Sequence, residues 1–388
     1  MKIGILTLFH DNYNWGGVLQ GYALKTLLER RYSDANVDIL IYKNGRNVIY
    51  TNRLKQALQY SPKDIIKKVT AHIAKKNNDK CSNYLEERKK LFKDFMKEYT
   101  TNTTVYNDDT LVEAAEEYDC LISGSDQVWN PNVGQAGYFQ TMISSEQCRK
   151  IAYAASIARD DLSMYERKRM IPYIDDFDAI SVREKTAKVF LEKYLGKESC
   201  VEEVLDPVLM LTQEEWITMA LKSKIHHEGR YAVAFFFSDS LEHRKQIKIY
   251  CEEKKIKLYF ITFARNEYES SDLMGYGEKI FDVGPYEFVD LFLNAQCVFT
   301  DSFHGCIFSL LFHKNMCVFE RDINNKVSKN SRLYDLLNKF YLSERMISKS
   351  SDIQKVMDKN IDFDKIEILK NSYREKSLQF LDKQFKDI

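Results

Sequence analysis

Short apolar runs alternate with stretches whose apolar positions recur every three or four residues. Lys2–Phe9 is rich in Ile and Leu and reads as a first strand, followed by a glycine-containing turn and a helix from about Val18 to Arg31. Val37–Tyr42, Tyr118–Ile122, Ile151–Ala155 and Ala179–Val182 are equally short and apolar, with helical patterns between them. Strands alternating with helices predict βαβ units and a mainly parallel sheet covered on both faces. After Asp206-Pro207 and a helix near Glu214–Ala220 the rhythm restarts. Tyr231–Phe237, Lys257–Thr262, Lys279–Val283, Cys297–Thr300 and Met316–Glu320 predict a second, smaller α/β sheet, and Ile361–Phe385 a closing amphipathic helix. The expected fold is therefore α/β, with two doubly wound, Rossmann-like lobes. Residues 1–210 form the first, with a helical basic insertion at about 50–98; residues 211–348 form the second and 349–388 a helical tail. Two such lobes place a site in the cleft at the carboxyl ends of their strands.

Composition narrows the class. The chain has 388 residues, enough for two domains, and 5 prolines and 14 glycines are too few for a collagenous or turn-dense all-β protein. Lys+Arg 57 balances Asp+Glu 57, so overall charge gives no reason to expect nucleic acid. The opening MKIGILTLFHDN lacks a longer apolar region and a small-residue cleavage site, and reads as a strand rather than a signal peptide. No stretch approaches the ~20 apolar residues of a membrane span. The 8 cysteines stand singly and form no CxxC pair, as expected of reduced cytoplasmic thiols, and no metal-ligand spacing is visible. Neutrality overall hides one local excess. Residues 43–98 hold 15 Lys/Arg and 6 Asp/Glu, with Ile65, Ile66, Val69 and Ile73 on one helical stripe. Such a run is either a solvated helical face or a basic surface for an anionic partner. A lipid-linked diphosphate acceptor would fit, as would an anionic membrane, touched peripherally at its inner face.

Four polar clusters carry candidate chemistry. The first, His10-Asp11-Asn12-Tyr13-Asn14-Trp15-Gly16-Gly17, lies between strand and helix, where Gly16 and Gly17 let backbone approach an anion, or simply make a tight turn around packed Trp15. The second, Gly124-Ser125-Asp126-Gln127-Val128-Trp129, follows a strand. There Asp126 can hold a sugar hydroxyl or act as a base, with Ser125 and Gln127 as hydrogen-bond donors, or Asp126 can cap a turn. The third, Thr300-Asp301-Ser302-Phe303-His304-Gly305, also ends a strand and precedes a helix from Gly305 or Cys306 to His313. His304 is the side chain there suited to proton donation near neutral pH, although a lone histidine is more often structural. The fourth is Asn330-Ser331-Arg332 at the start of an apolar helix, where Arg332 reaches an anion in the cleft or stays on the surface.

Taken in order, these segments resemble the polysaccharide pyruvyl transferase family. The matching stretches are Asn14–Gln20 with Tyr22-Ala23-Leu24, Gly124–Pro131, Ile151–Ser156, Ile180–Glu184, Leu205-Asp206-Pro207, Thr300–Gly305 and Asn330-Ser331-Arg332. The resemblance implies a two-lobed fold like that of GT-B glycosyltransferases. It also implies transfer of a pyruvyl group from phosphoenolpyruvate onto two hydroxyls of a sugar, as a cyclic ketal, with release of phosphate. The acceptor would be a cell-surface polysaccharide, such as a capsule or exopolysaccharide, or its lipid-linked precursor, and no organic cofactor is called for. By the same resemblance His304 is the acid or a phosphate contact. Arg332, Ser302 and the N–H groups around Gly16, Gly17 and Gly305 hold the donor, and Asp126 and Asp301, with Ser125 and Gln127, hold the acceptor. The chain departs from the pattern at Ser302, where some members carry an arginine; Arg332, Arg183 or Arg265 would then neutralise the phosphate. Two other classes compete: a nucleotide-sugar-dependent glycosyltransferase on the same fold, and a non-catalytic polysaccharide-assembly protein.

Overall fold

In the computed structural model, which describes residues 1–50, 79–196, 200–262, 270–321, 330–349 and 352–386, two parallel sheets face one another. The strands are β1 (Lys2–Leu6), β2 (Asn36–Ile39), β3 (Ile41–Tyr42), β4 (Val105–Tyr106), β5 (Cys120–Ser123), β6 (Arg149–Ala155), β7 (Ala179–Val182), β8 (Val201–Glu203), β9 (Tyr231–Phe235), β10 (Lys257–Ile261), β11 (Glu278–Ile280), β12 (Cys297–Thr300), β13 (Asn315–Phe319) and β14 (Met346–Ile347). The first sheet runs β2-β1-β5-β6-β7-β8 and the second β11-β10-β9-β12-β13-β14. Every pairing within them is parallel, which is why these strands read as unbroken apolar runs, buried on both faces. The second sheet is as large as the first, not smaller. The predicted run Val37–Tyr42 is split into β2 and β3, and the strands missed from sequence are two or three residues long, β8 and β14 at the sheet edges and β4 beside β3, too short to show a period.

In both sheets the strand order reverses beside the first strand laid down: between β1 and β5 in one lobe, and between β9 and β12 in the other. Crevices open at such reversals, beyond the carboxyl ends of the strands. The loop after β5 carries Asp126 and the segment after β12 carries His304, so the fold brings two distant clusters to facing crevices.

Three helices join the lobes. α1 (Trp15–Arg31) starts earlier than its apolar period suggests because the Asn14 side chain caps it, accepting from the Gly16 N–H at 3.1 Å. Its Trp15 is fully buried in the second lobe: the indole Nε1–H donates to the Val283 carbonyl at 3.0 Å, and the ring stacks on Phe288 and meets Phe235 edge-on. α2 (Asp79–Glu98) is the described part of the basic insertion. It is no free solvated helix, because Leu85, Arg88, Phe92, Phe95 and Met96 form a buried stripe. Arg88 reaches the Thr262 carbonyl at 2.7 Å across the seam. The expected stripe Ile65, Ile66, Val69 and Ile73 lies outside the described residues. The closing helix, Phe363–Phe385, returns to the first lobe, where Asp382 accepts a forked pair of bonds from Arg31 and the Ser377 hydroxyl accepts from the Leu205 N–H at 2.9 Å. One apolar core runs through both lobes.

Candidate active site at the facing sheet edges

The helix that carries His304 spans Phe303–Leu311, so the histidine lies in its first turn rather than before it. Ser302 is the reason. Its hydroxyl caps the helix by accepting from the Gly305 N–H at 3.3 Å, and its own N–H donates to Thr300 Oγ1 at 3.0 Å. Across the cleft His304 lies flat against Gly16 of α1. A methyl group built at that position would fall within the imidazole, 2.5 Å from its Cγ, so only glycine allows the two lobes to meet there. The other ring edge points at Asp206: His304 Nε2 lies 3.6 Å from Asp206 Oδ2, and this buried nitrogen has no hydrogen-bond partner among the described residues.

Asp206 belongs to a buried ion network centred on Arg183. The guanidinium, at the end of β7, holds Asp206 at 2.6 Å, Asp126 at 2.8 Å and Glu184 at 3.3 Å, and lies 4.3 Å from the centre of the Phe303 ring. Burial works against each charge. For Asp206 the His304 ring 3.6 Å away, then Arg183, outweigh burial and hold the carboxyl well below the usual carboxylate range. Asp126 is likewise held low, with Arg183 foremost against burial. Burial is opposed at Arg183 by its three carboxylates, which raise its pKa further. Glu184 goes the other way: burial raises it, and Arg183 and Arg332 only partly compensate.

The loop bearing Asp126 is pinned from below. Gly124 takes φ +118, with no room for a side chain over the Tyr153 carbonyl. Asp126 itself is left-handed, at φ 68, a conformation aspartate tolerates better than most residues. The Ser125 N–H donates to Gln20 Oε1 at 3.1 Å, and its hydroxyl donates to the Ala154 carbonyl at 3.0 Å. Gln20 also donates to Thr7 Oγ1, whose hydroxyl donates to the Ser125 carbonyl.

Arg332 completes the site. It starts a helix, Ser331–Lys339, that is fixed to the second sheet by Asn330, whose side chain exchanges hydrogen bonds with the Arg321 backbone. Only 9% exposed, Arg332 makes no ion pair among the described residues, and its buried Nε has no partner. Its guanidinium carbon is 5.7 Å from the centre of the same Phe303 ring that Arg183 covers. Burial first, and the like charge of Arg183 second, push its pKa down to about 10. A buried guanidinium without its own carboxylate leaves room for an anion. Arg321 stands nearby over Phe237 at 4.4 Å, its Nε donating to the Asp301 carbonyl at 2.7 Å.

The structure thus gathers His304, Asp126, Ser125, Gly16 and Arg332 at one place, but several do other work than expected. Asp126 is not a free base, because Arg183 holds its Oδ1 at 2.8 Å. Asp301 is not open to an acceptor: its two oxygens accept from the Phe237 and Ser238 N–H groups at 2.7 and 2.8 Å. Ser302 and Ser125 are committed to backbone. The Gly16 and Gly305 N–H groups serve their helix caps and are not free anion donors, and Gly17 packs beneath the Asn12 amide. Gln127, half-buried, accepts from the Asn130 amide at 3.0 Å. Arg265 lies outside the described residues.

The family model for polysaccharide pyruvyl transferase matches residues 14–323. The chain belongs to that family. Membership makes it a transferase of polysaccharide modification, and the matched span runs from the Asn14 cap past the His304 helix to just short of Arg332. No curated protein matches it in sequence. Solved structures align over nearly its full length. UDP-GlcNAc 2-epimerase from Methanocaldococcus jannaschii is 13% identical, with 93% of each chain covered and a TM-score of 0.56. A putative UDP-N-acetylglucosamine 2-epimerase from Listeria monocytogenes is 11% identical over 100% of this chain and 97% of that one, with a TM-score of 0.54. For the UDP-N-acetylglucosamine 2-epimerase from Rickettsia bellii the identity is 11%, the coverage 98% and 95%, and the TM-score 0.52. At these identities the likeness is one of fold, the two-lobed GT-B-like architecture. Among the described residues no helix is long and apolar enough to cross a membrane.

Proposed function

We propose that this member of the family moves the pyruvyl group of phosphoenolpyruvate onto two hydroxyls of a sugar in a cell-surface polysaccharide or its lipid-linked precursor. The observation that carries the reading is buried Arg332, without an ion pair among the described residues and 5.7 Å from the ring of Phe303, the residue before His304. Phosphoenolpyruvate brings a carboxylate and a phosphate, and a site for it needs cationic groups not already neutralised by the protein. Arg332 is such a group; Arg183, tied to three carboxylates, is not.

The chemistry follows from the donor. Its C2=C3 bond is electron-rich at C3, so an acid that protonates C3 leaves an oxocarbenium-like C2. One sugar hydroxyl adds to C2, the C2–O bond to phosphate breaks with its electron pair going to phosphate, and the second hydroxyl closes the ketal. The two hydroxyls lose two protons; C3 gains one and the departing phosphate gains the other. His304 is the proton donor in this reading. Asp206 stands 3.6 Å from its Nε2, and Gly16 fixes the ring plane. Arg183 keeps Asp206 charged without competing for the donor, and Phe303 holds both guanidiniums in place.

Calorimetric titration of phosphoenolpyruvate into the wild type, His304→Ala and Arg332→Ala tests this. Binding that is lost in the arginine variant and retained without turnover in the histidine variant supports the assignment. Binding of a nucleotide sugar in place of phosphoenolpyruvate would turn the reading to glycosyl transfer.

A further inference from the structure

Pyruvyl transfer needs a group that takes protons from the sugar, and the expected one, Asp126, has its Oδ1 held by Arg183. Glu184 differs from its neighbours. Asp206 has Oδ1 bonded to the Val208 N–H and Oδ2 paired with Arg183, and both oxygens of Asp301 accept from backbone. Glu184 is 3% exposed; its Oε1 accepts from the Ser156 hydroxyl and lies 3.3 Å from Arg183 Nε. Its Oε2 is buried with no hydrogen-bond partner among the described residues. Although Glu184 stands at the N-cap position of the helix Lys185–Tyr194, its side chain does not cap that helix. A buried acceptor oxygen left empty costs stability, and a hydroxyl donor would fill it.

A cavity of about 460 Å³ lies along the helix that follows, lined by its Lys185, Thr186 and Phe190, by Asp160 and by Asp335. The Thr186 N–H donates to Asp335 Oδ2 at 2.9 Å, so the cavity sits on the seam between the lobes. Carboxylates and ammonium groups around an aromatic edge suit a hydroxyl-rich sugar chain.

We propose that Glu184 Oε2 takes the proton of the first sugar hydroxyl to attack C2. The assignment rests on the pyruvyl-transfer reading above. As the first hydroxyl forms its bond to C2, its O–H bond breaks and the proton passes to Glu184. The C2–O bond to phosphate then breaks, and the leaving oxygen takes that proton from Glu184. The second hydroxyl adds to C2 and returns a proton to His304, which had given one to C3. Both side chains end as they began. The charged groups around Glu184 are Arg183, from the strand before it, and Arg332, from the facing helix, with Asp126 and Asp206 bound to the former.

The test is Glu184→Gln, which keeps the shape and an oxygen for Ser156 but cannot take a proton. Phosphoenolpyruvate affinity by calorimetry should stay within about twofold, while phosphate release with the producing cells' surface polysaccharide falls about 10²- to 10⁴-fold. The wild-type kcat should fall toward low pH with an apparent pKa above the ordinary glutamate range, and the variant should lose that limb. Ser156→Ala removes a bond that stabilises the carboxylate, so it should move the limb to higher pH; it decides the matter if the glutamine variant fails to fold. Wild-type turnover with the acid limb intact in Glu184→Gln, or an unmoved limb in Ser156→Ala, overturns the proposal. A wild type that neither binds phosphoenolpyruvate nor releases phosphate from it overturns instead the reading on which the proposal stands.

Discussion

Replacing Arg332 with methionine should make the protein more stable and inactive at once. The guanidinium is buried, has no carboxylate of its own among the described residues, and shares the Phe303 ring with Arg183. Its pKa is pushed down to about 10, roughly 3 kcal/mol against holding the charge in the folded state, at about 1.4 kcal/mol per unit. Methionine keeps the length and packing of the stem and removes the charge; losing the contact with Phe303 gives back about 1–2 kcal/mol. A net gain of about 1–2 kcal/mol remains, a rise of a few degrees in Tm for a protein of this size. Scanning calorimetry with and without phosphoenolpyruvate reads both halves. At a hundred times its Kd the donor should stabilise the wild type by about 2.7 kcal/mol and the variant by nothing. A variant that melts below the wild type would show that Arg332 is a structural ion-pair partner after all. One still stabilised by phosphoenolpyruvate would show that the donor binds elsewhere.

Trp15→Ala should cost about 3–5 kcal/mol in urea unfolding, because the fully buried ring is shared between the lobes; a loss under 1 kcal/mol would mean that they hold together without it. Gly16→Ala should displace the His304 ring and lower turnover at least tenfold while leaving phosphoenolpyruvate affinity unchanged, since Arg332 lies on another element; unaltered kcat would contradict the packing. Asp126 and Asp206 bind protons less readily in the folded than in the unfolded chain, so the unfolded state takes up protons first as pH falls. Their contribution is present above about pH 4–5 and is lost as pH drops through their folded values, with Glu184, shifted upward, offsetting part of the loss. Unfolding midpoints of the wild type and Asp206→Asn between pH 6 and pH 2 should therefore converge toward acid; parallel curves would refute it.

Much of the fold is legible in the chain because its central strands are apolar on both faces and end in polar clusters, as the runs before Gly124 and Asp301 do. The strand ends also flag Asp126 and His304 as neighbours of a crevice. What each side chain does there is less legible, since it depends on partners far away in the chain. Arg183 pairs with Asp126 and Asp206 over 57 and 23 residues, and no local pattern reveals which carboxylate a buried arginine will neutralise. Asp206 and Glu184 stood within the stretches that mark the family, and that was their only signal. Gln20 had the same signal and no other, and Arg321 had none, because a glutamine inside a helix and an arginine after a strand are ordinary until a loop or a second cation lies over them. The basic insertion misleads in the opposite sense. Its lysines dominate the composition, while the described helix is held by Arg88, Phe92 and Phe95 against the seam.

The most direct test of pyruvyl transfer is to follow phosphoenolpyruvate carrying a 13C label at C2 by NMR, in the presence of the enzyme and the producing cells' surface polysaccharide. The label should move into a ketal carbon attached to the sugar as an equal amount of phosphate is released, and His304→Ala should leave it in the donor. A label that stays in phosphoenolpyruvate with the wild type, or appears only as free pyruvate, would contradict the account.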